Sequence, residues 1–333
     1  MHKVRVFING FGRIGRSALR IMLEDDALEV VGINDIFPVS QFKYLLQYDS
    51  LYKSLPEQIT LEHDRLTVGQ HQIKLFCQKD PSDLDLAALN IDLLLQCSGH
   101  FLTLQSNEAY LQQGVKKVIL STPAQDSMPT YIMGFNHQNY QNEKIISNSS
   151  CSNNAIAPII HTIENHYGIR HACISMIHSY TSDQNLLDGK SVINELRRSR
   201  SATQNILPLH STATSTLASL FPHLKNKLYT KSIRVPVNAT TLYDFTLFIQ
   251  NPTNQEELNA LFIEKSQCSL HNIIDTDNTH KVSSDYIQNR HGATIDLSLT
   301  EVLDDHCVKI SAWQDNEYGY AYQLVQMAKF IST

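Results

Sequence analysis

The chain has 333 residues, enough for two domains that each bury a hydrophobic core. Hydrophobic residues make up 42% of it and charged residues 18%, as in an ordinary globular protein. The formal net charge of −6 argues against a general nucleic-acid binder or a protein of anionic membrane surfaces. No apolar run approaches the ~18 residues of a membrane span. The first ten residues run straight into a strand and a turn, so they are not typical of a signal peptide.

The cysteines are scattered along the chain, with no C-x-x-C pair and no spacing typical of a metal site. They are Cys77, Cys97, Cys151, Cys173, Cys268 and Cys307. Scattered thiols in a chain of this size indicate a reducing cytoplasm rather than a disulfide framework, and no metal is expected.

A glycine motif follows the first predicted strand, residues 4–8. Gly10, Gly12 and Gly15 have the spacing G-x-G-x-x-G and lead into a helical pattern. In such a motif the first glycine makes the turn, the second lets a pyrophosphate approach, and the third lets the helix pack on the strand. The spacing alone is weak evidence, but its position between strand and helix predicts a dinucleotide site.

The second predicted strand, residues 28–33, ends at Asn34 and Asp35. Asp35 lies 20 residues beyond Gly15, where an acidic side chain hydrogen-bonds the adenosine ribose. Because a carboxylate there repels a 2′-phosphate, the pattern favours NAD over NADP. The alternative, a plain turn residue, is disfavoured by the glycines upstream.

Residues 40–90 look irregular, with short strands near 58–61 and 72–77. A buried strand at 91–97, a helix near 104–113 and a strand at 117–121 form a further unit, followed by strands at 131–134 and 144–147. Ser98 and Ser121 end strands at the edge where an open α/β sheet binds its ligand, or they are simple strand-end caps.

Small polar residues surround Cys151, and an apolar run with helical spacing follows it. This pattern places Cys151 in the first turn of a helix, where free backbone N–H groups and the helix dipole stabilise a thiolate. An ordinary free cysteine beside a helix cap is the alternative.

The second half of the chain is richer in sheet. A strand at 172–178 precedes a long polar segment, 179–205, of the kind that is either functional or disordered. Runs at 231–236, 242–249, 293–297 and 306–313 predict a large mixed or antiparallel sheet. We therefore expect an α/β protein with an N-terminal Rossmann dinucleotide-binding domain at 1–150 and an α+β catalytic domain at 151–315. The amphipathic helix within 316–333 is expected to return to the first domain.

Five motifs, taken together, resemble those of the phosphorylating glyceraldehyde-3-phosphate dehydrogenase family. They lie at residues 9–16, 147–154, 178–184, 234–236 and 315–320. The related erythrose-4-phosphate dehydrogenases share most of them. The resemblance is colinear over essentially the whole chain, and the combination of motifs is highly specific.

The resemblance implies NAD-dependent oxidation of a phosphorylated aldehyde, glyceraldehyde 3-phosphate. Cys151 would attack the aldehyde and His178 would act as general base. Inorganic phosphate would release the thioester as an acyl phosphate, or water would do so in the erythrose-4-phosphate enzymes. The resemblance further implies a homotetramer, with the segment 179–205 at a subunit interface.

The remaining site residues carry over from the family motifs in two groups. The expected cofactor-binding residues, besides the glycines and Asp35, are Arg13, Ile14, Ser121, Asn316 and Tyr320. The expected substrate- and phosphate-binding residues are Ser150, Ser152, Thr181, Asp183, Arg198, Ser211, Thr212 and Arg234. Arginine suits both anion sites because its planar fork binds phosphate oxygens bidentately.

Departures from the family pattern lie near the site of the attacking phosphate. Asn153 is unexpected there, and Thr212 replaces a glycine, which predicts a narrowed site or a strained backbone. Tyr318 stands where a tryptophan is usual. These changes keep open a second hypothesis, oxidation of erythrose 4-phosphate to the acid. A catalytically inactive relative that binds a partner or RNA is a third, which the intact Cys151 and His178 disfavour.

Overall fold

The computed structural model describes residues 3–191 and 195–332. Residues 192–194, within the predicted segment 179–205, and residue 333, the end of the predicted last helix, lie outside the described residues. The described chain divides into two units, 3–150 with 320–332, and 151–319. Within these ranges, no helix is both long enough and apolar enough to cross a membrane.

Strands and helices alternate through most of the first unit. Its elements are β1 (Val4–Asn9), α1 (Arg13–Leu23), β2 (Leu28–Asn34), α2 (Val39–Gln47), β3 (Ile59–Glu62), β4 (Arg65–Val68), β5 (His71–Phe76), β6 (Leu93–Gln96), α3 (Leu104–Gln112), β7 (Lys117–Leu120) and β8 (Ile145–Ser147). The strands form one sheet in the order β3-β4-β5-β2-β1-β6-β7-β8. Those from β5 to β8 in this order run parallel, while β3 and β4 pair antiparallel.

The order of the parallel strands fixes where a ligand can bind. The chain moves from β1 to β2 on one side and later resumes with β6 on the other side of β1. Adjacent crossovers therefore diverge at the carboxyl end of β1, which is the crevice where doubly wound sheets bind ligands. The predicted Rossmann fold of the N-terminal domain is confirmed.

The central strands are almost entirely apolar, because a parallel sheet is covered on both faces. Residues 6–8 of β1, 93–95 of β6 and 118–120 of β7 are buried, with exposed fractions of 4% or less. Phe7 of β1 packs edge-on against Phe76 of β5, across the intervening strand β2. This core makes the sheet a rigid support for the loops at its edge.

Two local predictions in this unit were wrong. Residues 39–47 form α2 within the stretch expected to be irregular, and only Phe42 and Leu46 of this helix are buried, too few for a clear periodicity. Residues 131–134 form no strand. Instead, Asn136 accepts from Ile132 N–H and donates to Thr130 O, both at 2.8 Å, so a side-chain amide replaces the strand ladder.

The second unit is built on a larger mixed sheet. Its elements are α4 (Cys151–Tyr167), β9 (Ile169–Ser179), β10 (Leu207–His210), α5 (Ala213–Leu220), β11 (Leu228–Val235), β12 (Thr241–Ile249), α6 (Gln255–Gln267), β13 (Ile274–Asp277), β14 (Ala293–Leu303) and β15 (Cys307–Gln314). The strand order is β10-β11-β9-β12-β15-β14-β13, with parallel pairs at β11–β9 and β14–β13. The expected large mixed sheet is confirmed, whereas α5, α6, β10 and β13 were not anticipated.

The last helix, α7 (Tyr318–Ser332), belongs to the first unit from Tyr320 onward. Lys329 forms an ion pair with Asp25 at 2.6 Å, and Lys117 donates to the Ile331 carbonyl at 2.5 Å. The apolar face of the helix, which includes Leu324 and Met327, is fully buried. These contacts attach the end of the chain to the sheet with which it began.

Candidate active site

The turn after β1 can be made only with glycine at two positions. Gly10 has φ +99°, and a Cβ built on it would lie 2.4 Å from the backbone nitrogen of Ser98. A Cβ on Gly15 would lie 2.1 Å from the Gly10 carbonyl oxygen. Gly12, by contrast, faces open space. The first and third glycines therefore permit the tight strand–helix turn, and the second leaves room for a ligand's pyrophosphate.

A cavity of about 460 Å³ lies at the carboxyl ends of β1, β2 and β6. It is lined by residues that include Gly10, Gly12, Asn34, Asp35, Lys79 and Ser98. Its volume lies within the ~300–1,000 Å³ usual for small-molecule sites. The glycine turn and the cavity together fit a dinucleotide such as NAD.

Asp35 is held at the wall of this cavity by the backbone. Its Oδ2 accepts from Phe11 N–H at 2.5 Å, and its Oδ1 accepts from Ile36 N–H at 2.7 Å. A carboxylate fixed in this way disfavours a ligand with a phosphate on its ribose. Lys79, from the loop after β5, also lines the cavity; sequence reasoning missed it although it follows a strand of the parallel sheet.

Beneath the cavity lies a buried network of uncharged polar side chains. Asn9 donates to Gln96 Oε1 at 3.0 Å and to the Tyr110 hydroxyl at 2.8 Å. Asn34 donates to Asn9 Oδ1 at 2.7 Å, and Ser98 donates to Gln96 Oε1 at 2.8 Å. The network joins β1, β2, β6 and α3, and it was not predicted from the sequence.

The other predicted cofactor residues of this unit make protein contacts. Arg13, in the first turn of α1 beside Ile14, forms an ion pair with Asp49 and lies over the Tyr52 ring, 5.2 Å from its centroid. Ser121, after β7, donates to the Gln96 carbonyl at 3.1 Å. Tyr320 is buried and donates to the carbonyl of Ser149 at 2.8 Å, close in sequence to Ser150.

In the second unit, Cys151 and His178 meet. Cys151 is the first residue of α4, as its sequence pattern predicted, and His178 is the penultimate residue of β9. Cys151 Sγ lies 4.0 Å from His178 Nε2, and His178 is only 3% exposed. A thiol and an imidazole therefore lie next to each other, the arrangement that an activated cysteine nucleophile requires.

Burial shifts the pKa of both members of this pair. Loss of hydration raises the pKa of the Cys151 thiol, although the charge of Arg234 and a hydrogen bond from Ser152 oppose the rise. Burial, and then the charge of Arg234, lowers the pKa of His178 well below 6.5. Burial therefore opposes the stabilisation of a thiolate that the helix N-terminus predicts.

Arg234 approaches His178 from the neighbouring strand. The two residues are in register on β11 and β9. Arg234 Nη1 lies 2.5 Å from His178 Nδ1 and donates to the Ser179 carbonyl at 3.0 Å. The same carbonyl lies 2.7 Å from His178 Nδ1.

Three further predicted phosphate-site residues form one chain of contacts. The Thr181 hydroxyl donates to Asp183, and Asp183 forms an ion pair with Arg198. Burial, and then the charge of Arg198, lowers the pKa of Arg234, so the two guanidinium groups lie close to each other. Two cations next to the Cys–His pair are suited to a phosphorylated ligand.

Ser211 and Thr212 lie at the start of α5. Ser211 Oγ accepts from the N–H of Ala213 at 3.1 Å. Thr212 precedes the helix with φ −75° and ψ −10°, an ordinary right-handed conformation. The strained backbone expected at Thr212 is therefore not found. Asn153, the other unexpected residue, is fully buried in the first turn of α4.

Two buried residues that sequence reasoning missed connect to Cys151 through hydrogen bonds. The Tyr243 hydroxyl donates to Gln314 Oε1 at 2.7 Å, and Gln314 donates to the Cys151 carbonyl at 3.1 Å. Ser152 hydrogen-bonds both the Cys151 thiol and the Tyr243 side chain. The sequence signal that could have identified Tyr243 and Gln314 is a polar group at an inward-facing position of a predicted strand, in β12 and in β15.

Asn316 and Gly319 sit where β15 leads into the last helix. The Ser179 hydroxyl donates to Asn316 Oδ1 at 3.0 Å, which leaves the amide NH₂ of Asn316 as its donor. A Cβ on Gly319 would lie 2.6 Å from the His291 carbonyl oxygen, so only glycine fits. The motif at residues 315–320 thus orients the Asn316 amide and brings the Gly319 backbone close to the backbone of His291.

One unit carries a dinucleotide-type glycine turn, and the other places a cysteine thiol beside an imidazole and two arginines. These features fit the class of NAD-dependent dehydrogenases. Family models agree with this class: "Glyceraldehyde 3-phosphate dehydrogenase, NAD binding domain" matches residues 4–104, and the C-terminal domain of the same enzyme matches 150–316. The chain belongs to the glyceraldehyde 3-phosphate dehydrogenase family, as its motifs predicted.

Curated relatives of the same name match nearly the full chain. Glyceraldehyde-3-phosphate dehydrogenase of Helicobacter pylori (strain J99) is 39% identical over 98% of this chain and 99% of its own length. Glyceraldehyde-3-phosphate dehydrogenase 1 of Kluyveromyces lactis is 35% identical over 99% of this chain and 100% of its own. Glyceraldehyde-3-phosphate dehydrogenase 2 of Bacillus subtilis is 33% identical over 99% and 97%.

Proposed function

We propose that the protein oxidises glyceraldehyde 3-phosphate with NAD and inorganic phosphate to 1,3-bisphosphoglycerate, through a thioester on Cys151. The observation that carries the proposal is the approach of Cys151 Sγ to His178 Nε2, 4.0 Å apart, beside Arg234. The family assignment supports the same reaction, with NAD as its cofactor.

The chain's own groups account for the proton transfers. Cys151 Sγ bonds to the aldehyde carbon as its proton passes to His178 Nε2, and the imidazolium returns that proton to the carbonyl oxygen, giving a thiohemiacetal. Bound NAD supplies the acceptor for the two electrons that this carbon loses on oxidation to the thioester. The imidazole takes the hydroxyl proton in that step. Phosphate then attacks the thioester carbon, the carbon–sulfur bond breaks, and the sulfur regains a proton from the His178 imidazolium.

The anion-binding role is assigned to the polar groups around this pair. We propose that Arg198 and Arg234 hold the phosphates, with Thr181 and Asp183 positioning Arg198 through the contacts described above. Ser150, Ser152, Ser211 and Thr212 complete the proposed set. Ordinary backbone geometry at Thr212 supports keeping it there.

For the cofactor, we propose that Gly10, Gly12, Gly15 and Asp35 bind the adenosine and pyrophosphate. The proposed cofactor-binding set is completed by Arg13, Ile14, Ser121, Asn316 and Tyr320. The NAD-binding domain is then 1–150 with the final helix, and the catalytic domain is 151–315. Six free cysteines support a reducing, cytoplasmic location.

A homotetramer is proposed as the working assembly. The segment after β9 exposes several large apolar side chains: Leu186, Leu187, Leu196 and Ile206. Exposed apolar groups gathered in one segment favour burial against another protein surface, here a second copy of the chain. Light scattering from the full chain measures the assembly directly.

Steady-state assays test the reaction. With NAD, we expect NADH formation from glyceraldehyde 3-phosphate to require inorganic phosphate, and Cys151→Ser to abolish it while NAD binding persists. Nothing in the structure or the comparisons favours erythrose 4-phosphate as the substrate. NADH formation that prefers erythrose 4-phosphate and ignores phosphate would overturn the proposal.

A further inference from the structure

Each polar group of Ser179, the last residue of β9, has a partner of its own. Its N–H donates to the Thr240 carbonyl at 3.1 Å, just before β12. Its carbonyl oxygen lies 2.7 Å from His178 Nδ1 and accepts from Arg234 Nη1 at 3.0 Å. Its hydroxyl donates to Asn316 Oδ1 at 3.0 Å. Ser179 has an exposed fraction of 0%, so water does not compete for these groups.

The hydroxyl contact decides which end of the Asn316 amide faces Ser179. A hydroxyl can donate to an amide oxygen or accept from an amide NH₂. The Ser179 hydroxyl has no other hydrogen-bond partner within residues 3–191 and 195–332. If the Asn316 NH₂ faced it, the O–H of Ser179 would be buried without an acceptor, which is unfavourable. The amide oxygen therefore faces Ser179.

This direction leaves the Asn316 NH₂ available to a ligand. Asn316 is 5% exposed, and its NH₂ donates to no other residue of the described chain. An amide NH₂ only donates, so it recognises a ligand atom that has a lone pair but not a ligand N–H group. On the pyridine ring of NAD, the matching atom is the carbonyl oxygen of the ring's amide substituent.

We propose that Ser179 is a positioning residue for the cofactor, whose hydroxyl fixes the direction of the Asn316 amide and so makes the site select an acceptor on the pyridine ring. The inference rests on the cofactor-binding role proposed for Asn316. It adds Ser179, which acts through Asn316, to the residues that determine how the ring is held.

The backbone beside Asn316 is held as firmly as its side chain. Asp315 Oδ1 accepts from Tyr318 N–H at 2.9 Å, and its Oδ2 accepts from Gln288 N–H at 2.7 Å. Asp315 is fully buried. Because these bonds fix the main chain, the freedom left to Asn316 is rotation of its side chain, which the Ser179 hydroxyl restricts.

Ser179→Ala separates the hydroxyl from the other contacts of this residue. The contacts with Thr240, His178 and Arg234 are made by the main chain of Ser179, so alanine keeps them. Alanine removes only the donor to Asn316 Oδ1. The Asn316 amide can then turn and present either its oxygen or its NH₂ to a ligand.

The test compares two analogues of NAD that differ in the group on the pyridine ring. The 3-acetylpyridine analogue keeps the carbonyl oxygen and lacks the NH₂, whereas the thionicotinamide analogue keeps the NH₂ and has a weakly accepting sulfur. Calorimetry measures their Kd values for the full chain, with ADP-ribose, which has no pyridine ring, as the reference. The native chain should bind the acetylpyridine analogue about fivefold more tightly, equivalent to about 1 kcal/mol.

In Ser179→Ala, the thionicotinamide analogue should bind about fivefold more tightly than it does to the native chain, while ADP-ribose binds as before. A loosened fold cannot produce such a gain in affinity for one ligand. Ser298→Ala, which removes a hydroxyl that donates to Asp296 Oδ1 at 2.6 Å in the same unit, is the matched control and should keep the native preference. An unchanged preference in Ser179→Ala, with its fold intact by circular dichroism, overturns the proposal.

The native chain tests the direction of the amide by itself, in case Ser179→Ala fails to fold. Equal affinity for the two analogues, or a preference for thionicotinamide, contradicts the proposal. If neither NAD nor ADP-ribose binds, the proposed cofactor is refuted and this inference with it. Oxidation of glyceraldehyde 3-phosphate by the same preparation shows separately whether the proposed function holds.

Discussion

The carboxylate of Asp35 is fixed in place by the chain before any cofactor binds. Two backbone N–H groups, from Phe11 and Ile36, hold one oxygen each. The negative charge of Asp35 is therefore fixed in position in the wall of the cavity. Discrimination against a 2′-phosphate should come from this charge rather than from the size of the side chain.

Asp35→Asn tests that distinction, because the amide keeps an oxygen acceptor while it removes the charge. We expect the ratio of kcat/KM for NAD to that for NADP to fall about tenfold, equivalent to about 1.4 kcal/mol. Asp26→Asn, which neutralises an exposed carboxylate after α1, serves as the control and should keep the native ratio. An unchanged ratio in Asp35→Asn would refute the role assigned to the charge.

At the scale of elements, the Tyr110 hydroxyl connects a helix to two strands. It accepts from Asn9 and from Gln96, both at 2.8 Å, and all three side chains are buried. Asn9 lines the cofactor cavity. Gln96 accepts a hydrogen bond from Ser98, which also lines the cavity. The network should therefore support both the fold and the shape of the cavity.

Tyr110→Phe removes one hydroxyl from this network and leaves the Gln96 amide with a buried, unsatisfied N–H. Such a group costs about 1–3 kcal/mol of unfolding free energy. We expect lower thermal stability together with a raised Kd for NAD, measured by calorimetry. Tyr131→Phe, which removes a hydroxyl bonded to Glu143 at 2.6 Å, is the control for general destabilisation. Loss of stability with native NAD affinity would show that the network serves the fold alone.

At the scale of the whole molecule, burial of His178 links stability to pH. Its pKa is well below 6.5 in the folded chain, because of burial and then the charge of Arg234. In the unfolded chain the His178 imidazole binds a proton as the pH falls through about 6.5, whereas in the folded chain it stays unprotonated at that pH. This contribution is therefore present above pH 6.5 and is lost as the pH falls toward the folded pKa.

His178→Asn removes that dependence. Between pH 7.5 and 5.5 the native chain should lose about 1.4 kcal/mol more unfolding free energy than the variant does. Denaturant titrations followed by Trp313, the single tryptophan, report on the unit that contains His178. His210→Asn, which removes an exposed imidazole of the same unit, should retain the native slope. Parallel curves for the native chain and His178→Asn would contradict the linkage.

Much of the fold was predictable because its signals are local. The glycine spacing, the apolar runs of the parallel strands and the helix that begins at Cys151 each depend on a few neighbouring residues. The helix α2 escaped prediction because only two of its side chains face the core. The predicted strand at 131–134 failed because the Asn136 side chain takes up the backbone groups there.

The sequence by itself determined the glycine turn, the acidic residue after β2 and the cysteine at a helix start, since each follows from local chain geometry. Family motifs added His178 and the arginines. Only the tertiary structure decided that burial raises the pKa of Cys151 and lowers that of His178, because burial depends on every element packed around them. It also decided that Arg234 meets His178 Nδ1, a contact made by strand register between residues far apart in the chain.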